Sequence, residues 1–119
     1  MKILLLYFSG TGNTKRIARL YKSAFAGLGC EVHEAELPLA EAPDVSGYDL
    51  VGIGYPIHAF NAPKIILTLC KALPKQDKKA QGAKRAFIFK TSGEPVRMSD
   101  VSSLKMRKIL KRRGYVVQN

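Results

Sequence analysis

Apolar residues come in blocks along this chain, and the blocks change period in a regular order. Residues 2–8 carry an unbroken apolar run from Ile3 onward, the pattern of a strand buried on both faces. From 14 to 28 the spacing turns helical. Ile17, Leu20, Tyr21, Ala24, Phe25 and Leu28 share one face, Lys15, Arg16, Arg19 and Lys22 point elsewhere, and Gly27 and Gly29 supply the stop. Residues 30–37 predict a weaker strand. Its Glu31, Glu34 and Glu36 would not tolerate the centre of a sheet and assign it to an edge. Residues 38–47 predict a loop with room for at most a short helix.

Residues 48–55 predict a second apolar strand, ended by Pro56. Pro63 suits the first turn of the helix that follows, with Ile65, Ile66, Leu69, Cys70 and Leu73 as its apolar face. Residues 74–85 form a basic loop and residues 86–91 a third apolar strand. A helix over 100–113 takes Ser99 or Asp100 as its cap and ends at Gly114. Residues 115–117 begin a last strand. Strand and helix alternating in this way predict an α/β domain: a parallel sheet of about five strands, right-handed crossovers and helices on both faces. With 119 residues, no repeat and no linker, 1–119 reads as one domain with a single hydrophobic core.

Composition narrows the class. The apolar share of 46% is that of a folded domain and argues against disorder. No apolar run approaches the ~20 residues of a membrane helix. The N-terminal run is too short for a signal core and lacks a cleavage site, so the expected location is cytoplasmic. Cys30 and Cys70 lack metal-ligand or redox spacing and read as two buried free thiols.

Candidate chemistry lies directly after the first strand, in Ser9-Gly10-Thr11-Gly12-Asn13-Thr14. A tight turn entering a helix leaves backbone N–H groups without partners in their own helix, and the helix dipole adds partial positive charge. Together they make a phosphate seat. Ser9, Thr11, Asn13 and Thr14 add short donors, while Gly10 and Gly12 permit close approach. With no Lys or Arg inside it, the loop is built for hydrogen bonding. It matches neither the Walker loop nor G-x-G-x-x-G, and it lacks the Cys and Arg of a phosphatase loop.

The segment from Ser9 to Thr14 matches the signature [ST]-x-T-G-x-T at every fixed position, and in this the chain resembles the flavodoxin-like family. The resemblance extends over the order of elements along the whole chain. It implies a flavodoxin-like three-layer sandwich, a parallel sheet of order 2-1-3-4-5, and FMN as cofactor with its phosphate on Ser9, Gly10, Thr11, Gly12, Asn13 and Thr14. In such a sheet the ligand lies past the carboxyl ends of the strands where strand order reverses, between strands 1 and 3. Two more loops end there. Pro56-Ile57-His58-Ala59-Phe60-Asn61 resembles the family's first flavin loop, where Phe60 or His58 could stack on the ring. Thr91-Ser92-Gly93 resembles the second, with Gly93 letting the backbone approach and Glu94 more in character as a solvated carboxylate. The chain departs from many flavodoxins in having no Trp and no aromatic between Phe89 and Tyr115, so an aromatic sandwich is at best one-sided.

Charge adds a question of partners. The formal net charge is +11, and it is lopsided: residues 1–60 carry five basic and six acidic side chains, residues 61–119 fifteen and three. The cations gather in Lys75, Lys78, Lys79, Lys84 and Arg85, and again in Lys105, Arg107, Lys108, Lys111, Arg112 and Arg113. A solvated surface accounts for them, as does steered docking of an acidic redox protein. Nucleic-acid binding has neither interleaved aromatics nor a reader motif behind it.

The expected sheet is truncated within strand 5 and lacks a final helix, which leaves one sheet face for a partner, a homodimer or a continuation to cover. The resemblance is to the flavodoxin-like front of proteins that continue into a ferredoxin-type domain with iron–sulfur clusters. The leading expectation is therefore an FMN-dependent electron-transfer domain with no catalytic triad or metal cluster. A flavin oxidoreductase acting on a quinone or porphyrinogen-like substrate stands beside it, as does a cofactor-free basic binding module.

Overall fold

The computed structural model describes residues 1–8, 12–39, 43–56, 64–76, 84–91 and 104–118. Its elements run β1 (Lys2–Tyr7), α1 (Asn13–Gly27), β2 (Glu31–Glu36), β3 (Leu50–Pro56), α2 (Lys64–Ala72), β4 (Arg85–Thr91), α3 (Leu104–Arg112) and β5 (Val116–Val117). All strand pairs are parallel, and the sheet order is β2-β1-β3-β4-β5. This is the order expected from the sequence. The glutamate-rich strand β2 lies at the edge, where Glu34 sits 3.9 Å from Lys22 of α1. Strand β5 is short, pairing only through Arg85 with Val116 and Ala86 with Val117.

The period-two geometry of the central strands divides their side chains between two cores. Leu4 and Leu6 of β1, Val51, Ile53 and Tyr55 of β3, and Ala86 and Ile88 of β4 face α2 and α3. There they meet Ile66, Leu69, Cys70, Leu73, Met106 and Leu110. Ile3, Leu5 and Tyr7 face the other way, toward Ala18 of α1 and Phe89. Each fully buried Leu or Ile contributes about 1.5–3 kcal/mol, so the unbroken apolar runs are what hold a sheet covered on both sides.

On the α1 side β3 presents Gly52, and the Phe87 ring of β4 lies across it. A β-carbon on Gly52 would stand 2.5 Å from Phe87 Cζ and 2.8 Å from Leu5 Cδ2. The Gly-x-Gly spacing of β3 thus makes room for aromatic rings from β4.

Helix α1 departs from the sequence expectation. Its sheet contacts come from Thr14, Ala18, Ile17 and Phe25. Leu20 and Leu28, assigned by spacing to the buried face, are 61% and 79% exposed. Tyr21 is half out of the core and stacks on Phe25, 6.1 Å between ring centres, and leans on Phe87 and Phe89 at 5.4 and 5.2 Å. The apolar stripe of α1 is wider than its contact with the sheet, and Tyr21 carries part of the surplus toward Phe87 and Phe89 of β4. Leu20, Tyr21, Leu28 and Val116 are exposed large apolar residues.

Cys30 and Cys70 are both free thiols, the first half-buried and the second buried. Gly29 and Gly114 follow α1 and α3 as expected, and the caps expected at Ser99 or Asp100 lie outside the described residues.

Candidate functional site at the carboxyl edge of the sheet

Strands β1 and β3 are neighbours, but the chain leaves them in opposite directions. The helix after β1 packs on one face of the sheet, and the helix after β3 on the other. The two connections diverge and leave a crevice above the carboxyl ends of β1 and β3. Register brings the strand ends level there: Tyr7 pairs with Gly54 and with Glu36, Gly54 with Phe89, and Pro56 with Thr91. The Phe8 N–H donates to the Gly54 carbonyl at 3.0 Å, and the Leu37 N–H to the Tyr7 carbonyl at 2.7 Å. The three loops singled out in the sequence therefore start side by side, after Phe8, Pro56 and Thr91.

At the head of α1 the N-cap residue is Gly12, with φ of 90° and ψ of −11°. That left-handed conformation suits glycine and strains other residues. Gly12 has no side chain to cap the helix, and the first turn carries no acidic residue. The first intrahelical bond runs from the Arg16 N–H to the Gly12 carbonyl at 3.1 Å. Any helix start carries N–H groups with no carbonyl of their own helix to meet, and a partial positive charge. Most helices meet that demand with a capping side chain or an acidic first turn. The backbone N–H groups of Gly12, Asn13 and Thr14 are the kind of donor set a phosphate takes at a helix start.

Thr14 is 1% exposed, the one buried polar residue in the described core. Tyr7 ends β1 on the same face. Burial raises its phenol above the ordinary value, the Glu34 and Glu36 carboxylates add to the rise, and Arg19 opposes it. Tyr7 therefore stays neutral beside the crevice.

Of the expected site residues, the structure brings Gly12, Asn13, Thr14, Pro56 and Thr91 to one edge. Ser9, Gly10, Thr11, Ile57, His58, Ala59, Phe60, Asn61, Ser92 and Gly93 lie outside the described residues. Sequence reasoning missed Tyr7 as a border of the crevice. Its signal was its place as the penultimate apolar residue before the glycine-rich loop. It also missed Gly52 and Gly54, signalled by their two-residue spacing within an apolar strand.

A separate cleft of about 650 Å³ lies at the amino edge, lined by Met1, Tyr48, Asp49, Lys84, Arg85, Val116 and Gln118. Lys84 donates from Nζ to the Val45 carbonyl, and burial lowers its ammonium below the ordinary value against the pull of Asp49 and Asp44. This cleft is at the opposite end of the strands from the crevice. Among the described residues no group of His, Cys, Asp and Glu could hold a metal ion, and no helix is long and apolar enough to cross a membrane.

No protein-family model matches the sequence, and no curated protein matches it. Solved structures do match in fold. A flavodoxin from Streptococcus pneumonia shares 16% identity at a TM-score of 0.77, over 98% of this chain and 79% of its own. Oxidised Flavodoxin 2 from Bacillus cereus shares 21% at a TM-score of 0.78, over 100% of this chain and 80% of its own. The rubredoxin oxygen:oxidoreductase of Desulfovibrio gigas shares 19% at a TM-score of 0.71, over 99% of this chain and 29% of its own.

Proposed function

The chain has the flavodoxin fold, and from that premise we propose that it binds FMN and serves as an electron-transfer domain. The observation that carries the reading is the head of α1: a left-handed glycine at the N-cap and no acidic residue in the first turn, at the carboxyl edge beside the crevice between β1 and β3. When bound, FMN supplies the electron-transfer chemistry, and the protein supplies orientation and electrostatics.

The residues divide that work. Ser9, Gly10, Thr11, Gly12, Asn13 and Thr14 hold the phosphate. The loops of Pro56, Ile57, His58, Ala59, Phe60 and Asn61 and of Thr91, Ser92 and Gly93 flank the ring. Tyr7 remains an uncharged neighbour. On this reading specificity rests with the protein that gives or takes the electrons. That partner is an acidic redox protein or a ferredoxin-type domain, as the excess of basic groups favours.

The test is reconstitution. Added FMN is expected to lose its fluorescence on binding, and riboflavin, which has no phosphate, to bind at least about tenfold more weakly. Thr11→Asp puts a carboxylate in the phosphate seat and should abolish the quenching, with the circular dichroism unchanged. Equal binding of FMN and riboflavin, or no quenching with the parent chain, would refute the proposal.

A further inference from the structure

Helices α2 and α3 pack against each other on one face of the sheet, and both turn a basic stripe outward. In α2, Ile66, Leu69 and Cys70 face the core while Lys64 and Lys71 are exposed, with exposed Lys75 continuing the row. In α3, Met106 and Leu110 face the core while Lys105, Lys108, Lys111 and Arg112 are exposed. Residues 64–76 and 104–118 contain no carboxylate at all. None of these seven cations forms an ion pair with a described residue, whereas Lys2 and Lys22 pair with Glu31 and Glu34 on the β2 side.

Helix stability does not account for the stripe. Cations favour the last turn of a helix, and Lys71, Lys111 and Arg112 sit there. Lys64 and Lys105 sit in first turns, where the dipole opposes them and where neither helix has an acidic residue. Crowded like charges also repel one another. These positions are locally unfavourable, and no acidic side chain among the described residues compensates them.

We propose that the outer face of α2 and α3 is the docking surface for an acidic protein. Six of the seven cations are lysines, flexible and strongly hydrated, which suits steering and a short-lived contact. No aromatic anchor projects from the stripe, so the contact falls in the weak, low-area class of redox encounters. It runs ~10 Å along α3 from residue 105 to residue 112. Because α2 and α3 follow β3 and β4, the stripe begins at the carboxyl edge of the sheet. Its head, Lys64, Lys105 and the 54% exposed Leu104, lies at the same end of the strands as the crevice. A partner held on the stripe reaches the edge where the flavin would sit. That the partner is a redox protein rests on the FMN reading, while the docking rests on charge alone.

The test titrates the isotope-labelled full chain, with and without added FMN, using an acidic plant-type ferredoxin as probe. Amide shifts should gather in residues 64–75 and 104–112. Affinity should fall at least about tenfold from about 20 to about 200 mM salt. Lys108→Glu/Lys111→Glu should weaken binding about tenfold, and Arg85→Glu, on the opposite sheet face, less than about twofold. Shifts centred elsewhere, an equal loss in Arg85→Glu, or tighter binding of duplex DNA than of ferredoxin at the same salt would overturn the assignment. Flavin quenching of the same samples separates the two readings. Loaded flavin without shifts on the stripe defeats the docking surface alone. Shifts on the stripe without flavin binding support the surface and defeat the cofactor.

Discussion

The ring of Phe89 lies on Gly54. A β-carbon there would stand 2.6 Å from Phe89 Cδ2 and closer still to Cζ and Cε2. Gly54 is one of the residues paired with Tyr7, so this contact lies directly under the crevice. Gly54→Ala is expected to cost about 1–3 kcal/mol by overpacking, because Phe89 is 4% exposed and has little room to retreat. Phe89→Leu in the same chain should restore part of the loss. Urea denaturation of the two single variants and the double variant measures the coupling.

The exposed apolar flank of α1 should respond differently. Leu20 and Leu28 touch little, so Leu20→Lys/Leu28→Lys is expected to change stability by no more than about 0.5 kcal/mol per site. The same change removes exposed apolar surface and should raise solubility. If two copies pair through this flank, sedimentation velocity will show a concentration-dependent dimer in the parent chain and a monomer in the variant.

Gly12 separates strain from space. A β-carbon there meets nothing within 4 Å, yet φ is 90°. Gly12→Ala should therefore cost about 1–2 kcal/mol through the backbone alone, and Gly12→Asn less, since Asn enters the left-handed region more readily. On the FMN reading both variants also weaken flavin binding, Ala more than Asn. Thermal denaturation and fluorescence titration give the two effects independently.

Burial pushes the Cys70 thiol up to about 12 from an ordinary 9.0. The fold thus favours the neutral thiol. Its stabilising effect is complete below pH 9.0 and is lost as pH rises from there toward about 12, because only the unfolded chain ionises in that window. The urea midpoint should fall over this range, and less steeply in Cys70→Ala. At neutral pH a disulfide reagent should label Cys30 in the folded protein and Cys70 only after denaturant is added.

What could be read from sequence follows the range of the forces involved. The apolar runs of β1, β3 and β4 announce strands buried on both faces. The glutamates of β2 announce an edge, and the apolar blocks announce the alternation of strand and helix. Each is a local statement about solvation or backbone freedom, carried by neighbours in the chain. The 3.6-residue period of α1 likewise placed Ile17 and Phe25 correctly.

It misplaced Leu20, Ala24 and Leu28, because periodicity reports which residues are apolar and not which of them the sheet reaches. Strand order followed from the family resemblance, but register and the faces chosen by α1, α2 and α3 were settled by long-range packing. Only that packing set the Phe87 and Phe89 rings on Gly52 and Gly54 and brought the ends of β1, β3 and β4 level. It also turned the cations of two separate helices into one stripe. Contacts between residues far apart in sequence leave no periodic trace in either segment, so they become visible only when the chain is folded.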